Sequence, residues 1–235
     1  MGDAKKPELL LLHALPLNGA MWAAQMDLLP GSTHAPTLYA LGAAVEDWAA
    51  AALKLIKGDR VIVVGCSVGG SCAIEVAVAA PERVAALVLI GTKAEHRPDP
   101  DLHAAALETL RASGIAKAWQ AYWAPLFSAA TDPQVVANAR LTALAQSPEA
   151  IAGGITAFHS RPSRIDFLST FQRPVYVVTG ADDIAPGPKT SAAQAQAARF
   201  GSFHEIAGCG HYVPLEQPET LNAILRPIIA AQESC

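Results

Sequence analysis

Short apolar runs alternate with longer helical patterns along this chain, and that alternation constrains its fold more than any other feature. The runs are Glu8–His13, Arg60–Val64, Val84–Ile90 and Pro174–Thr179. All but the first are rich in Val and Ile, as strands buried on both faces of a parallel sheet should be. Weaker strand patterns lie at Thr37–Leu41 and Ser202–Ile206. Between them, Val45–Lys57, Val68–Ala80, Thr190–Phe200 and Pro214–Ala230 carry helical spacing or Ala-rich composition. Strands that alternate with helices in this way build βαβ units. The expectation is an α/β fold: a mostly parallel sheet of about six strands flanked by helices.

One stretch breaks the rhythm. Residues 93–172 hold no strand pattern, only Ala-rich helical segments with the aromatics Trp119, Tyr122, Trp123, Phe127 and Phe158. A structureless loop of that length does not fit a compact domain. The reading is a core formed by 1–92 and 173–235, with 93–172 inserted as a helical cap.

Composition narrows the function class. At 235 residues the chain suits one such domain; its formal charge is −4 and 16% of it is charged. No basic cluster exceeds Lys5-Lys6, so neither nucleic acid nor an anionic membrane surface is an expected partner. No stretch approaches the ~20 apolar residues of a bilayer span. The start, Met1 to Pro7, leaves no room for a signal peptide, and a cytoplasmic location is expected. Cys66, Cys72, Cys209 and Cys235 show neither metal-site spacing nor a disulfide framework. Cys66 and Cys72 read as buried hydrophobes and Cys235 as a free tail thiol. No metal or other cofactor is expected.

The chemistry concentrates at Gly65-Cys66-Ser67-Val68-Gly69-Gly70, which follows one strand pattern and opens a helical one. A serine on so tight a turn takes strained dihedrals, and glycines two residues either side remove colliding side chains. The turn presents the Ser67 hydroxyl at the carboxyl end of the sheet. The N–H of Val68, at the helix start, then faces a developing oxyanion.

A serine hydroxyl needs a base. Of seven histidines, His211 stands in Gly208-Cys209-Gly210-His211, after the last strand pattern and before the final helix. An acid is expected after the preceding strand, where Asp182 and Asp183 are adjacent; Glu95 is a more distant candidate. Such a carboxylate would orient the imidazole and stabilise the imidazolium.

Together with Pro81-Glu82-Arg83-Val84, Gly180-Ala181-Asp182-Asp183 and Gln217-Pro218-Glu219, these motifs resemble the α/β-hydrolase superfamily, and within it the small carboxylesterase and enol-lactonase branch. The resemblance spans nearly the whole chain outside the cap. It implies the α/β-hydrolase fold and a Ser67–His211–Asp183 triad, the acid being the fourth residue of Gly-x-x-Asp. It also implies a second oxyanion donor, the N–H of Leu15, in His13-Ala14-Leu15-Pro16. There Ala14 replaces the usual glycine, which puts the local backbone in question. Two N-terminal strands common in the family look absent, which would leave the Thr37–Leu41 strand at the sheet edge, blunted by His34 and Pro36.

The implied function is a serine hydrolase that cleaves a carboxylic ester or lactone, a small-molecule substrate, through an acyl-enzyme on Ser67. The alternatives are carbon–carbon bond hydrolysis of a keto-acid by the same triad, or a small-molecule receptor that retains the triad. Trp22, Trp119, Trp123, Phe127 and Phe158 are the expected substrate-binding residues, with Met21 and Tyr122 beside them. His159, Arg161 and Arg164 are candidates for a substrate carboxylate; the competing reading is that they are solvated or pair with Asp166.

Overall fold

The computed structural model describes residues 7–233, so the readings placed on the first six residues and on Cys235 fall outside the described residues. The apolar runs form strands β1 (Glu8–Leu12), β3 (Val61–Cys66), β4 (Val84–Ile90) and β5 (Val175–Gly180), joined at the edges by β2 (Thr33–His34) and β6 (Gly201–Ile206). Their order is β2-β1-β3-β4-β5-β6 and every neighbouring pair is parallel. Every residue of β1, β3 and β4 is buried, which explains their apolar character beyond Glu8, whereas edge strand β6 is largely exposed. Each fully buried Leu, Ile or Val in the central strands contributes about 1.5–3 kcal/mol of transfer free energy. Truncating one, such as Ile62→Ala, costs about 2–5 kcal/mol once the cavity is counted.

The edge strand is not where the residue pattern put it. Pairing with β1 involves only Thr33 and His34, and Leu38–Ala40 forms a short 3-10 turn. Pro36 has no N–H to give a ladder, and the Leu38 N–H is taken by Nε2 of the buried His13, 2.8 Å away. Tyr39 packs edge-on against the same imidazole. The apolar residues at 38–41 therefore serve tertiary packing and not a strand. The sheet has six strands, and among the described residues none precedes β1.

The helices are α1 (Val45–Leu53), α2 (Val68–Ala79), α3 (Pro100–Ala118), α4 (Pro133–Leu144), α5 (Pro148–Ser160), α6 (Ile165–Thr170), α7 (Pro188–Ala197), α8 (Val213–Glu216) and α9 (Pro218–Glu233). Four of them, α3 to α6, lie between β4 and β5. Three of these start with the same local chemistry: Asp99-Pro100, Asp132-Pro133 and Ser147-Pro148. In each, the capping oxygen accepts a backbone N–H of the first turn (Leu102, Gln134 and Ala150) and proline occupies the first helical position. No helix among the described residues is long and apolar enough to cross a membrane.

This topology positions the site. The chain leaves β1 toward β2 on one side and returns to place β3 on the other. The carboxyl ends of β1 and β3 thus flank the crevice at which open α/β sheets bind ligands.

Candidate active site

Ser67 occupies the turn from β3 into α2 at φ 55°, the single non-glycine residue with positive φ among the described residues. Such strain costs about 1–3 kcal/mol and persists only where the surroundings enforce it. Here the Ser67 N–H donates to Ile90 O at 2.8 Å, and its carbonyl accepts from Gly70 N at 2.9 Å and from Thr92 Oγ1 at 3.1 Å. The flanking glycines are obligatory by contact. A Cβ on Gly65 would lie 2.2 Å from Gly69 O, and one on Gly69 would lie 2.1 Å from Leu12 O.

His211 enters from the loop between β6 and α8. Its Nδ1 lies 3.1 Å from each carboxylate oxygen of Asp183, and the Asp183 side chain is completely buried. Asp183 also accepts the Ala185 N–H at 2.8 Å. Asp182 faces outward instead, accepting from Ser128 Oγ at 2.5 Å, and Glu95 is a surface residue bonded to Arg97. The adjacent thiol of Cys66 is no rival to the serine: burial, then the Asp183 charge, pushes its pKa well up.

Ser67, His211 and Leu15 line one cavity of about 380 Å³. Leu15 follows β1, and its carbonyl accepts the Tyr212 hydroxyl at 2.9 Å, which ties this turn to the histidine loop. Ala14 has no left-handed backbone, so alanine in place of glycine imposes no φ strain there. His13 does not face the cavity. Burial lowers its pKa to about 4, and the neutral ring bridges backbone groups of Ala14 and Leu38.

Of the aromatics expected to bind substrate, Trp123 and Phe158 line the cavity, together with Tyr122. Trp22, Trp119 and Phe127 do not. Trp22 is wholly buried, and Met21 beside it lies under the Leu15 turn, its sulfur 3.2 Å from Ala14 N. Phe127 stacks on Tyr212 behind His211, with ring centroids 4.6 Å apart, and Trp119 packs on Phe127. Much of the remaining wall is aliphatic: Leu102, Ala106, Leu126 and Ile155. His159 and Arg161 line the cavity, whereas Arg164 pairs with Glu75 at 2.8 and 3.1 Å, not with Asp166.

The residue reading missed Glu216. Its carboxylate accepts the N–H groups of Gly210 (2.9 Å) and Tyr212 (2.8 Å), on either side of His211. It also accepts Ser128 N at 2.9 Å and Thr131 Oγ1 at 2.5 Å, while the His211 N–H donates to Leu126 O. Three consecutive N–H groups are thereby fixed around the imidazole. The only signal in the sequence is an acid one position before Gln217-Pro218.

Comparison with known proteins agrees with this fold. The model of the alpha/beta hydrolase family matches residues 9–224. A pimeloyl-[acyl-carrier protein] methyl ester esterase from Aromatoleum aromaticum is 28% identical, covering 95% of this chain and 98% of that one. A thermophilic esterase from Thermogutta terrifontis superposes with a TM-score of 0.88 at 26% identity, over 97% of this chain and 90% of the other. The enol-lactonase of Burkholderia xenovorans LB400 has the same fold, with a TM-score of 0.84 at 20% identity over 98% and 94%. A six-stranded parallel sheet, a strained serine at a strand-to-helix turn and a family match across most of the chain lead to one conclusion: the chain is a hydrolase of the alpha/beta hydrolase family.

Proposed function

We propose that the protein is a serine hydrolase that cleaves carboxylic esters or lactones through an acyl-enzyme on Ser67. The observation that carries this reading is the strained Ser67 on the same cavity as His211, whose Nδ1 is held by buried Asp183. With Nδ1–H directed at that carboxylate, Nε2 is the nitrogen left to take the Ser67 proton. Ser67 Oγ attacks the carbonyl carbon. The N–H groups of Val68, at the start of α2, and of Leu15 hold the resulting oxyanion. The imidazolium protonates the leaving alkoxide, and water then cleaves the acyl-enzyme by the reverse sequence of proton transfers. Ester chemistry is further supported by the two esterase relatives.

Segment 93–172 acts in this scheme as a cap. Its residues Leu102, Ala106, Tyr122, Trp123, Ile155 and Phe158 supply most of the apolar wall, which suits a hydrocarbon part of the substrate. The test is steady-state hydrolysis of p-nitrophenyl esters of increasing acyl length. Multiple turnover that disappears in Ser67→Ala is expected; turnover that survives the substitution would contradict the assignment of Ser67.

A further inference from the structure

Among the described residues, the cavity holds a cation with no counter-ion. Arg161 follows α5 and is 7% exposed, yet it lines the same cavity as Ser67 and His211. Its guanidinium carbon lies over the Phe158 ring, 3.9 Å from the centroid, and one Nη donates to the Phe158 carbonyl. Its Nε is buried and has no partner. Burial alone lowers its pKa, to about 10, which leaves it charged at neutral pH.

A carboxylate on an adjoining cleft is already engaged. Glu75 borders the small adjoining cleft that Arg161 and Lys93 also border, but both its oxygens are occupied by Arg164. Lys93 lines the main cavity as well, and none of the described residues lining that cavity carries a carboxylate. His159 adds no charge, since burial, then the neighbouring His103 and Arg161, lowers its pKa to about 4. The result is a largely apolar cavity with two cationic side chains and, among the described residues, no anion. A buried cation without an ion-pair partner is costly, and a planar guanidinium held over an aromatic ring is pre-organised for a carboxylate.

We propose that Arg161, with Lys93 at its side, is an anion subsite, and that the hydrolase acts on esters whose acyl or alcohol part carries a second, free carboxylate. The proposal rests on Ser67 chemistry taking place in this cavity. It adds the substrate class: the apolar wall accepts the hydrocarbon spacer while the guanidinium takes the distal carboxylate.

Binding is tested apart from turnover. Calorimetric titration of the Ser67→Ala protein with phenylacetate and with neutral phenylacetamide should show tighter binding of the anion. That preference should fall about 10- to 100-fold in the Arg161→Met form, the range expected for a hydrogen-bonded charge pair. Arg161→Lys, which keeps the cation, should retain part of it, and serves if the Met form does not fold. Equal binding of acid and amide in the parent, or an unchanged preference in both variants, would overturn the proposal.

Turnover separates it from the reading beneath it. The ratio of kcat/KM for mono-p-nitrophenyl glutarate over p-nitrophenyl butyrate should exceed one in the native enzyme and drop in the Arg161 variants. Ser67-dependent turnover with no anion preference would leave the hydrolase and remove the subsite. Arg161-dependent acid binding with both esters inert would leave the subsite and remove the ester chemistry.

Discussion

Glu216→Gln is the sharpest probe of how the histidine loop is held. The substitution keeps shape and removes charge and one acceptor. Oε2 of Glu216 receives three donors (Ser128 N, Thr131 Oγ1 and Gly210 N), and Oε1 receives the Tyr212 N–H. A glutamine oriented with its oxygen toward the three donors turns its NH2 against the Tyr212 N–H. That leaves a buried donor unpaired, at about 1–3 kcal/mol, and the three remaining bonds lose charge assistance. Because Glu216 is itself only half-buried, solvent recovers part of this, and a net loss of about 2–4 kcal/mol is expected. A domain with a stability of ~5–15 kcal/mol should still fold. With the backbone on both sides of the imidazole loosened, kcat should fall about 10- to 100-fold while KM changes little. Urea melts followed by circular dichroism give the first quantity, and p-nitrophenyl ester kinetics at saturating substrate the second. Stability within about 0.5 kcal/mol of the native protein, the range of ordinary surface substitutions, together with an unchanged kcat would refute the clamp.

Three further expectations follow from individual contacts. Gly91 has φ 54°, and a Cβ there would come within 2.8 Å of His211 Nδ1 and 3.1 Å of Asp183 Oδ2. Gly91→Ala should therefore cut kcat/KM about 100-fold with a loss of about 1–3 kcal/mol in a denaturant melt; near-native kinetics would show that the pair tolerates displacement. His13 is neutral in the folded protein down to pH about 4, whereas its unfolded value is 6.5. Below pH 6.5 the unfolded chain binds a proton that the native protein refuses, so stability is full above 6.5 and declines toward pH 4 by up to about 3 kcal/mol. Urea melts across that window should show the decline, and a slope undiminished in His13→Gln would assign it elsewhere. Arg164→Ala leaves Glu75, whose side chain is 5% exposed, without its partner; the Arg164 side chain is 33% exposed, so solvent limits the loss to about 1–3 kcal/mol. A thermal melt that does not move would show that Glu75 is compensated by other means.

The sheet was legible where strands are buried on both faces, because short, wholly apolar runs such as Val61–Val64 and Val84–Ile90 suit a doubly covered parallel sheet. The edge was not, because Leu38 and Tyr39 are apolar for packing on His13 and not for pairing with β1. The serine turn and the glycine-flanked histidine showed themselves through strictly local geometry. Asp182 and Asp183 could not be separated by residue type; family resemblance selected Asp183, and that is the carboxylate lying against His211. Aromatics in 93–172 were harder, since Trp119 and Trp123 sit one turn apart and only tertiary packing decides which faces the cavity. Glu216 escaped notice because two of its four donors, Ser128 and Thr131, lie far away in the chain, and no local pattern encodes that. Arg161 was legible as a candidate for a substrate carboxylate, but its burial and its place on the cavity are set by the fold.

The most direct test of the central claim is covalent. Incubation with diethyl p-nitrophenyl phosphate, followed by peptide mass spectrometry, should show one phosphoryl adduct per chain on Ser67, with loss of esterase activity in proportion to labelling. Label on another residue, or activity persisting in fully labelled protein, would contradict the assignment of Ser67 as nucleophile.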